Sequence, residues 1–476
     1  MINEKRPSEI MPDPLTSDVS DMCKDTDISL YLKDLSEQIS VNHVSENERE
    51  AISGQEEKQF AFAYPKELYP VDWTDYSVPP VYICGNDYIQ EVNKVNDRTG
   101  LLERETQKRD KSILKLTYGS DIPAKLRIFD GFANVPGMGD NYKWIIDTAS
   151  HRGAVNLFNP TNFIPKKGEF PIIKILLSQV FGVENLTLGY DYFSIAWQHP
   201  YHILPVLVLI SKDNSTGKST FLNFISWLFS GNARIISDED LSNSFNPFIT
   251  ALFVMCDELQ DGRKWMNKIK TLATAESMQL NRKGLQQCNV NTFMNLILAG
   301  NDVDNIIKAS KYDIRYWVRE LPPIPKENWI EDFDKKLRSE IPAFAYFIAN
   351  RKIVTPRKSR MWFDPDILKT DALANIVRNS RSRCCQDIID FVNKYAVENG
   401  TDYICATVKD IRTVLGSERY TDNDICNALR GELGLINVDT PRRYTDYLRG
   451  ISTGRYYTIS AELEDASVIN NETVPF

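Results

Sequence analysis

The sequence predicts an α/β chain: a parallel-sheet core at its centre, a small mixed domain and a helical segment before it, and short helices with a hairpin after it. Three continuous apolar runs carry this expectation, PVLVLI (205–210), ALFVMC (251–256) and MNLILA (294–299). Such runs suit strands buried on both faces of a parallel sheet, whereas a half-exposed strand alternates apolar and polar residues. Helical spacing between the runs supplies the crossovers that parallel strands need. At 476 residues the chain has room for about three domains, and 42% apolar residues can fill their cores.

Taken in order, residues 1–60 are polar and acidic, with stretches such as SENEREAISGQEEKQ that bury too little to offset ordering entropy; they are expected to be a disordered tail. They hold 6 basic and 14 acidic side chains, so nearly all of the net charge of −9 is theirs and the remainder is almost neutral. Overall charge therefore neither supports nor excludes a nucleic-acid partner. Residues 61–155 read as a small α+β domain, with strands expected in SILKLTY (112–118) and AKLRIFDGF (124–132). In 156–200, Ile172, Ile175, Leu176, Val180 and Phe181 recur at helical spacing. The core follows at 201–325, then a helical extension at 326–379.

Residues 380–460 change character: Ile388, Ile389, Val392 and Tyr395 mark one helix, while Thr407 and Thr421 are suited to cap two more. RRYTDYLRGISTGRYYTIS then reads as a hairpin, giving a winged-helix-like outline, before a tail at 461–476. Arg442, Arg443, Arg449 and Arg455 interleave there with Tyr444, Tyr447, Tyr456 and Tyr457, a pattern suited to phosphate and groove contacts on DNA. Residues 381–460 balance 11 basic against 11 acidic side chains, so a protein-docking or purely structural module stays open as well.

The eight cysteines are dispersed without the paired spacing of a zinc site, and the four histidines form no ligand cluster. No apolar run reaches the ~18–20 residues of a membrane span, and the start MINEKRPSEIMPDPL lacks the apolar segment of a secretory signal. A cytoplasmic location without membrane contact is expected.

The chemistry concentrates after the first run. Ser211–Thr220 (SKDNSTGKST) matches the phosphate-loop pattern at Gly217, Lys218 and Ser219, with Lys212 where the first glycine is expected. Gly217 permits the tight turn that aims the N–H groups of Asn214, Ser215, Thr216, Gly217, Lys218, Ser219 and Thr220 at phosphate oxygens, at the positive end of the next helix. Lys218 would reach the β- and γ-phosphates of ATP and Ser219 would coordinate Mg2+. The second run ends in Asp257 and Glu258, at the strand end where parallel sheets bind ligands: Asp257 as a metal partner, Glu258 as the group orienting or deprotonating water. The third ends in Asn301, where an amide can position that water, although asparagine also favours turns. Arg315 opens another strand candidate, YDIRYWVRELP, with Arg319 the nearest competing arginine and Asp313 a possible simple partner.

This order of phosphate loop, Asp-Glu strand, strand ending in Asn, and Arg before an aromatic-rich strand resembles the superfamily 3 helicases, a branch of the AAA+ ATPases, closest to the phage and plasmid primase-helicase group. The resemblance covers about residues 155–350. It implies an ATP-dependent DNA helicase replicating a phage, plasmid or other mobile element; self-association into a ring, usually a hexamer; single-stranded or forked DNA through its centre; and other replication proteins as further candidate partners. It also implies that 268–290 supplies a channel hairpin, with Arg282, Lys283 and Gly284 as a basic tip gripping phosphates, and Lys268 and Lys270 as further candidates. A solvated basic turn is the alternative for that tip. Arg315 would act on the ATP of the neighbouring subunit. Gly300 departs from the Ser or Thr frequent before the strand-end Asn, which leaves the positioning of Asn301 open. An AAA+ ATPase that loads or remodels a replication protein without unwinding is the alternative function. A primase is not expected, since residues 1–155 lack paired aspartates with a partner histidine.

Overall fold

The chain divides into two units, Met1–Gln59 and Phe60–Phe476. The computed structural model describes residues 64–65, 68, 80–259, 262–302, 306–309, 313–446 and 450–462. The expected disordered tail 1–60, most of the tail 461–476, Tyr447 and Arg449 lie outside the described residues.

The N-terminal module begins with strands β1 (Val81–Cys84), β2 (Asp87–Val95) and β3 (Leu102–Arg109), followed by helix α1 (Lys111–Tyr118) and short strands β4 (Ile128–Phe129), β5 (Gly131–Ala133), β6 (Ile145–Ile146) and β7 (Ala154–Asn156). One sheet runs β3–β2–β1–β4 and a second runs β5–β7–β6. SILKLTY, expected as a strand, is helix α1. The Asp110 carboxylate accepts the Ser112 N–H at 2.7 Å and starts the helix, a local N-cap that outweighs the weak alternation of Ile113, Leu114 and Leu116. AKLRIFDGF is strand only at β4 and at the start of β5. A buried network stiffens the β2–β3 hairpin: Tyr82 Oη donates to Glu91 Oε1 at 2.5 Å, and the Arg104 guanidinium stands 3.6 Å from the other Glu91 oxygen and 4.3 Å over the Trp144 ring. Burial pushes the Glu91 carboxyl above the usual range, opposed by Arg104.

Helices α2 (Pro171–Phe181) and α3 (Leu186–Gln198) precede a five-stranded sheet of β8 (Val206–Ile210), β9 (Ala233–Ile236), β10 (Phe253–Cys256), β13 (Asn295–Gly300) and β14 (Tyr316–Glu320). Helices α4 (Lys218–Phe229) and α5 (Gly262–Leu272) and the hairpin β11 (Ser277–Leu280)–β12 (Cys288–Asn291) lie between these strands in the chain; α6 (Phe333–Asn350) and α7 (Asp371–Asn379) follow. The sheet order is β14–β8–β13–β10–β9 and all its neighbouring pairs are parallel.

Why the runs are apolar throughout is visible in their packing. Leu207 and Leu209 of β8 join one core cluster with residues of α2, α3, α4 and α6, whereas Val206, Val208 and Ile210 join another with α5 and α7. Successive side chains point to opposite faces, and both faces are covered. On the first face Phe181 stacks on Trp317 with ring centroids 4.9 Å apart. Fully buried Asp191 of α3 is paired there with Arg351 at 2.8 Å and also accepts from Thr355 N at 2.8 Å. Among the described residues no single helix is long and apolar enough to cross a membrane.

The C-terminal module comprises α8 (Arg383–Asn399), β15 (Tyr403–Ala406), α9 (Val408–Leu415), α10 (Asp422–Cys426), β16 (Arg442–Asp446), β17 (Gly450–Gly454) and β18 (Tyr457–Ser460). Thr407 and Thr421 cap α9 and α10, each in a capping box with the aspartate three residues on. β16 pairs with β17 as an antiparallel hairpin, and β18 returns to pair with β15.

Candidate functional site

The sheet's connectivity creates a crevice before any side chain is considered. From β8 the chain crosses by α4 to the far edge at β9, while β14 lies on the other side of β8; parallel sheets open for ligands at the carboxyl ends of strands beside such a reversal. Ser211–Gly217 leaves β8 at that end. Ser215 and Gly217 are left-handed, at φ 57° and 87°, so two successive reversals fold the loop over the start of α4. Glycine adopts that conformation without strain. The loop is held from outside: Gln179 of α2 donates to the Thr216 carbonyl at 3.4 Å and the Pro322 carbonyl at 2.7 Å, and Ile324 N donates to the Ser215 carbonyl at 3.2 Å. No side chain caps α4, whose first turn begins with Lys218, Ser219 and Thr220. Lys212, Asp213, Asn214, Ser215 and Ser219 are exposed.

Lys218 turns back over this loop. Its ammonium donates to Asn301 Oδ1 at 2.7 Å, to Thr216 Oγ1 at 3.5 Å and to Ser211 Oγ. Burial lowers its pKa, while the charges of Asp257 and Glu258 oppose the shift. The residues singled out at the ends of β8, β10 and β13 are thus brought together around one ammonium. Gly300 has a steric reason: a Cβ there would meet Ile306 Cδ1 at 2.9 Å and the Leu259 carbonyl at 3.2 Å, so bare backbone places Asn301 beside Lys218. Glu258 is exposed and left-handed at φ 58°, a conformation that costs a non-glycine residue free energy and recurs at functional sites.

Arg98 is a member of this site that the sequence reading did not anticipate. It comes from the β2–β3 turn, and its guanidinium donates to Asp257 Oδ2 at 2.7 Å and Asn223 Oδ1 at 3.0 Å. The only local signal is the turn-forming stretch Asn96–Gly100; the contact with Asp257 spans 159 residues.

Arg315 is not brought to this cluster. Its carbonyl accepts from Val206 N at 2.7 Å, at the entry end of β8, while the loop leaves the exit end ~17 Å away at ~3.3 Å per residue. Its guanidinium is bidentate on Asp313, at 2.7 and 2.6 Å, and this bonding raises its pKa further. Arg319 is engaged by the Val180 carbonyl at 3.2 Å and by Glu184 at 3.5 Å.

The basic-tip expectation for β11–β12 needs correction at Arg282. That guanidinium donates to Thr106 Oγ1 of β3 at 2.8 Å and lies 4.1 Å over Phe132, so burial against the N-terminal module lowers its pKa. Lys283 and Gly284 remain exposed at the tip. Lys268 is likewise occupied, donating to the Leu241 carbonyl. In the C-terminal hairpin Arg442 and Arg443 are exposed, and as neighbours in a strand they face opposite sides. Two tyrosines expected on DNA are instead in the module's core: Tyr444 donates to Asp410 Oδ2 at 2.5 Å, and buried Tyr457 accepts from Arg430 Nε at 2.6 Å.

The donor set suits a magnesium nucleotide. Mg2+ usually takes one or two protein oxygens and leaves its remaining positions to water and phosphate. The Ser219 hydroxyl and the Asp257 carboxylate are oxygens of the kind that could hold it, and among the described residues no group of three or more His, Cys, Asp or Glu forms a cage for a metal held by protein alone.

Residues 209–315 match DUF5906, a family of unknown function. The chain is homologous to the DNA primase-polymerase of Nitratiruptor phage NrS-1, at 26% identity over 213 residues, which are 42% of this chain and 29% of that protein. It therefore spans under a third of the relative's length. Solved structures of the NrS-1 C-terminal region share its fold. An apo structure of residues 305–718 aligns with a TM-score of 0.53 at 16% identity, over 81% of this chain and 96% of that one. An A-form apo structure of that region aligns with a TM-score of 0.56 at 16% identity, over 81% and 97%.

Proposed function

We propose that residues 201–325 are the ATPase core of a superfamily 3 type AAA+ helicase that unwinds DNA in the replication of a phage or other mobile element. One observation carries the reading: Lys218, at the start of α4, bonds Asn301 at 2.7 Å and has Asp257 and Glu258 as its charged neighbours, four groups from three strand ends meeting where polyphosphate would lie. Homology to a phage DNA primase-polymerase supports a role in replication.

In this reading the N–H groups of Asn214–Thr220 cradle the phosphates of ATP and Lys218 neutralises the β/γ oxygens. Ser219 and Asp257 hold Mg2+, which supplies charge neutralisation at the transferred phosphoryl group. Glu258 orients or deprotonates the attacking water and Asn301 fixes its position. Arg315 lies at the entry end of the sheet, too far to serve its own nucleotide, which supports action on a neighbour's within a ring, most simply a hexamer. DNA would contact Lys283 at the channel hairpin and Arg442 and Arg443 in the C-terminal module.

The test is strand displacement on forked DNA by the purified chain. Displacement that needs both ATP and Mg2+ is expected; failure to displace any fork under hydrolysing conditions overturns the helicase. The seating of Arg282 against the N-terminal module leaves a less basic hairpin tip and favours a second reading, an ATPase that loads or remodels a replication protein. DNA-stimulated hydrolysis without displacement would select it.

A further inference from the structure

The Arg98 contact makes the N-terminal module part of the nucleotide site. We propose that Arg98 is a latch on the Asp257 carboxylate, which a divalent cation must displace before a nucleotide triphosphate is held. The proposal deepens the nucleotide-site reading above and depends on it.

Three features of the contact support a latch over a simple tie. First, Asn223, the second anchor of Arg98 at 3.0 Å, stands one helical turn beyond Ser219 and on the same face of α4. The guanidinium thus spans the gap between Asp257 and the Ser219 face, the two groups proposed for Mg2+. Second, the turn that presents Arg98 is held without it. Asn96 Oδ1 accepts from Arg98 N at 3.0 Å and Thr99 N at 3.1 Å, while the Thr99 carbonyl accepts from Trp227 Nε1 at 3.2 Å and from Arg338. The side chain can therefore swing away while the backbone stays. Third, the Arg98 side chain is 38% exposed against 18% for Asp257, so the guanidinium end of the pair is open to solvent and can leave the carboxylate without unpacking a core.

A guanidinium and Mg2+ sharing one carboxylate repel each other, so each lowers the other's occupancy by the same factor. The β2–β3 hairpin then sets how much divalent metal the site requires. Because Thr106 of the same hairpin bonds Arg282, it also joins the metal-binding carboxylate to the β11–β12 hairpin.

Binding of fluorescent MANT-ATP to the full chain, titrated with Mg2+, tests the latch. Arg98→Gln should lower the Mg2+ concentration at half-saturation about three- to tenfold, the range for a partly exposed ion pair with one added hydrogen bond. Asn223→Ala, which keeps the charge but frees its second anchor, should shift the midpoint the same way by less. An unchanged or raised midpoint in Arg98→Gln, with nucleotide still bound, overturns the latch and leaves the site standing. Failure of the unaltered chain to bind MANT-ATP at any Mg2+ concentration overturns both. If Arg98→Gln lowers the unfolding temperature, Asn223→Ala decides alone, and an unshifted midpoint there overturns the latch.

Discussion

Lys218 is desolvated, yet its hydrogen-bond partners Ser211, Thr216 and Asn301 are all neutral, which leaves its charge available to a phosphate. Lys218→Ala should abolish ATP hydrolysis while the fold survives, since the loop is largely exposed and held by backbone contacts to Gln179 and Ile324. Turnover near that of the unaltered chain would remove the phosphate-loop assignment. Glu258→Gln should keep nucleotide affinity and slow single-turnover hydrolysis by ~10²–10⁴, the usual worth of a positioned base. Loss of nucleotide binding instead would mean that Glu258 holds the nucleotide or its metal. At the hairpin tip, Lys283→Ala should weaken DNA binding uniformly and reduce the log-log salt slope by about one, as for a single lost phosphate contact. An unchanged slope returns Lys283 to a solvated turn.

A few buried polar groups tie elements of this chain together beside the apolar contacts. Asp191 ties α3 to the chain after α6 through Arg351, Thr355 and Val354 N, and it is fully buried. Removing one partner of such a pair leaves an uncompensated charge, so Asp191→Ala should cost ~3–5 kcal/mol, read as a lowered unfolding temperature in a thermal melt. A melt like that of the unaltered chain would mean that Arg351 finds water instead. The same logic explains Arg282 and Tyr444. Both were expected on DNA because arginine and tyrosine are frequent there, yet each is used to dock one element on another, Arg282 on β3 and Tyr444 on the cap of α9.

For the whole molecule, the decisive geometry is that Arg315 and Lys218 lie at opposite ends of one sheet. The proposed ring requires the entry end of one subunit to meet the exit end of the next, and guanidinium suits the γ-phosphate because it stays charged and offers two donors. Arg315→Ala and Glu258→Gln subunits, each inactive alone, should regain part of their ATPase when mixed, because some interfaces then join an intact arginine to an intact Glu258. No recovery at any ratio would reduce Arg315 to the partner of Asp313, the ion pair already formed at 2.6 Å.

The strands of the parallel core were legible because burial on both faces leaves a continuous apolar run, as Val206–Ile210 shows by sending alternate residues into two clusters. Gly217, Lys218, Asp257, Glu258 and Asn301 were legible because each stands at a fixed offset from such a run, so that sequence position alone sets which end of the sheet it reaches. Helix α1 departs from the strand expected there because a single N-cap at Asp110 outweighs apolar patterning over the seven residues of SILKLTY. Arg98 and Arg282 were beyond the sequence for a different reason. Their partners Asp257 and Thr106 lie 159 and 176 residues away, and whether an arginine meets solvent, nucleic acid or another module is decided by docking that no local pattern encodes. The sequence thus determined the strands and the loop they carry; the tertiary structure alone decided which cation reaches Asp257 and which basic residues are left facing water.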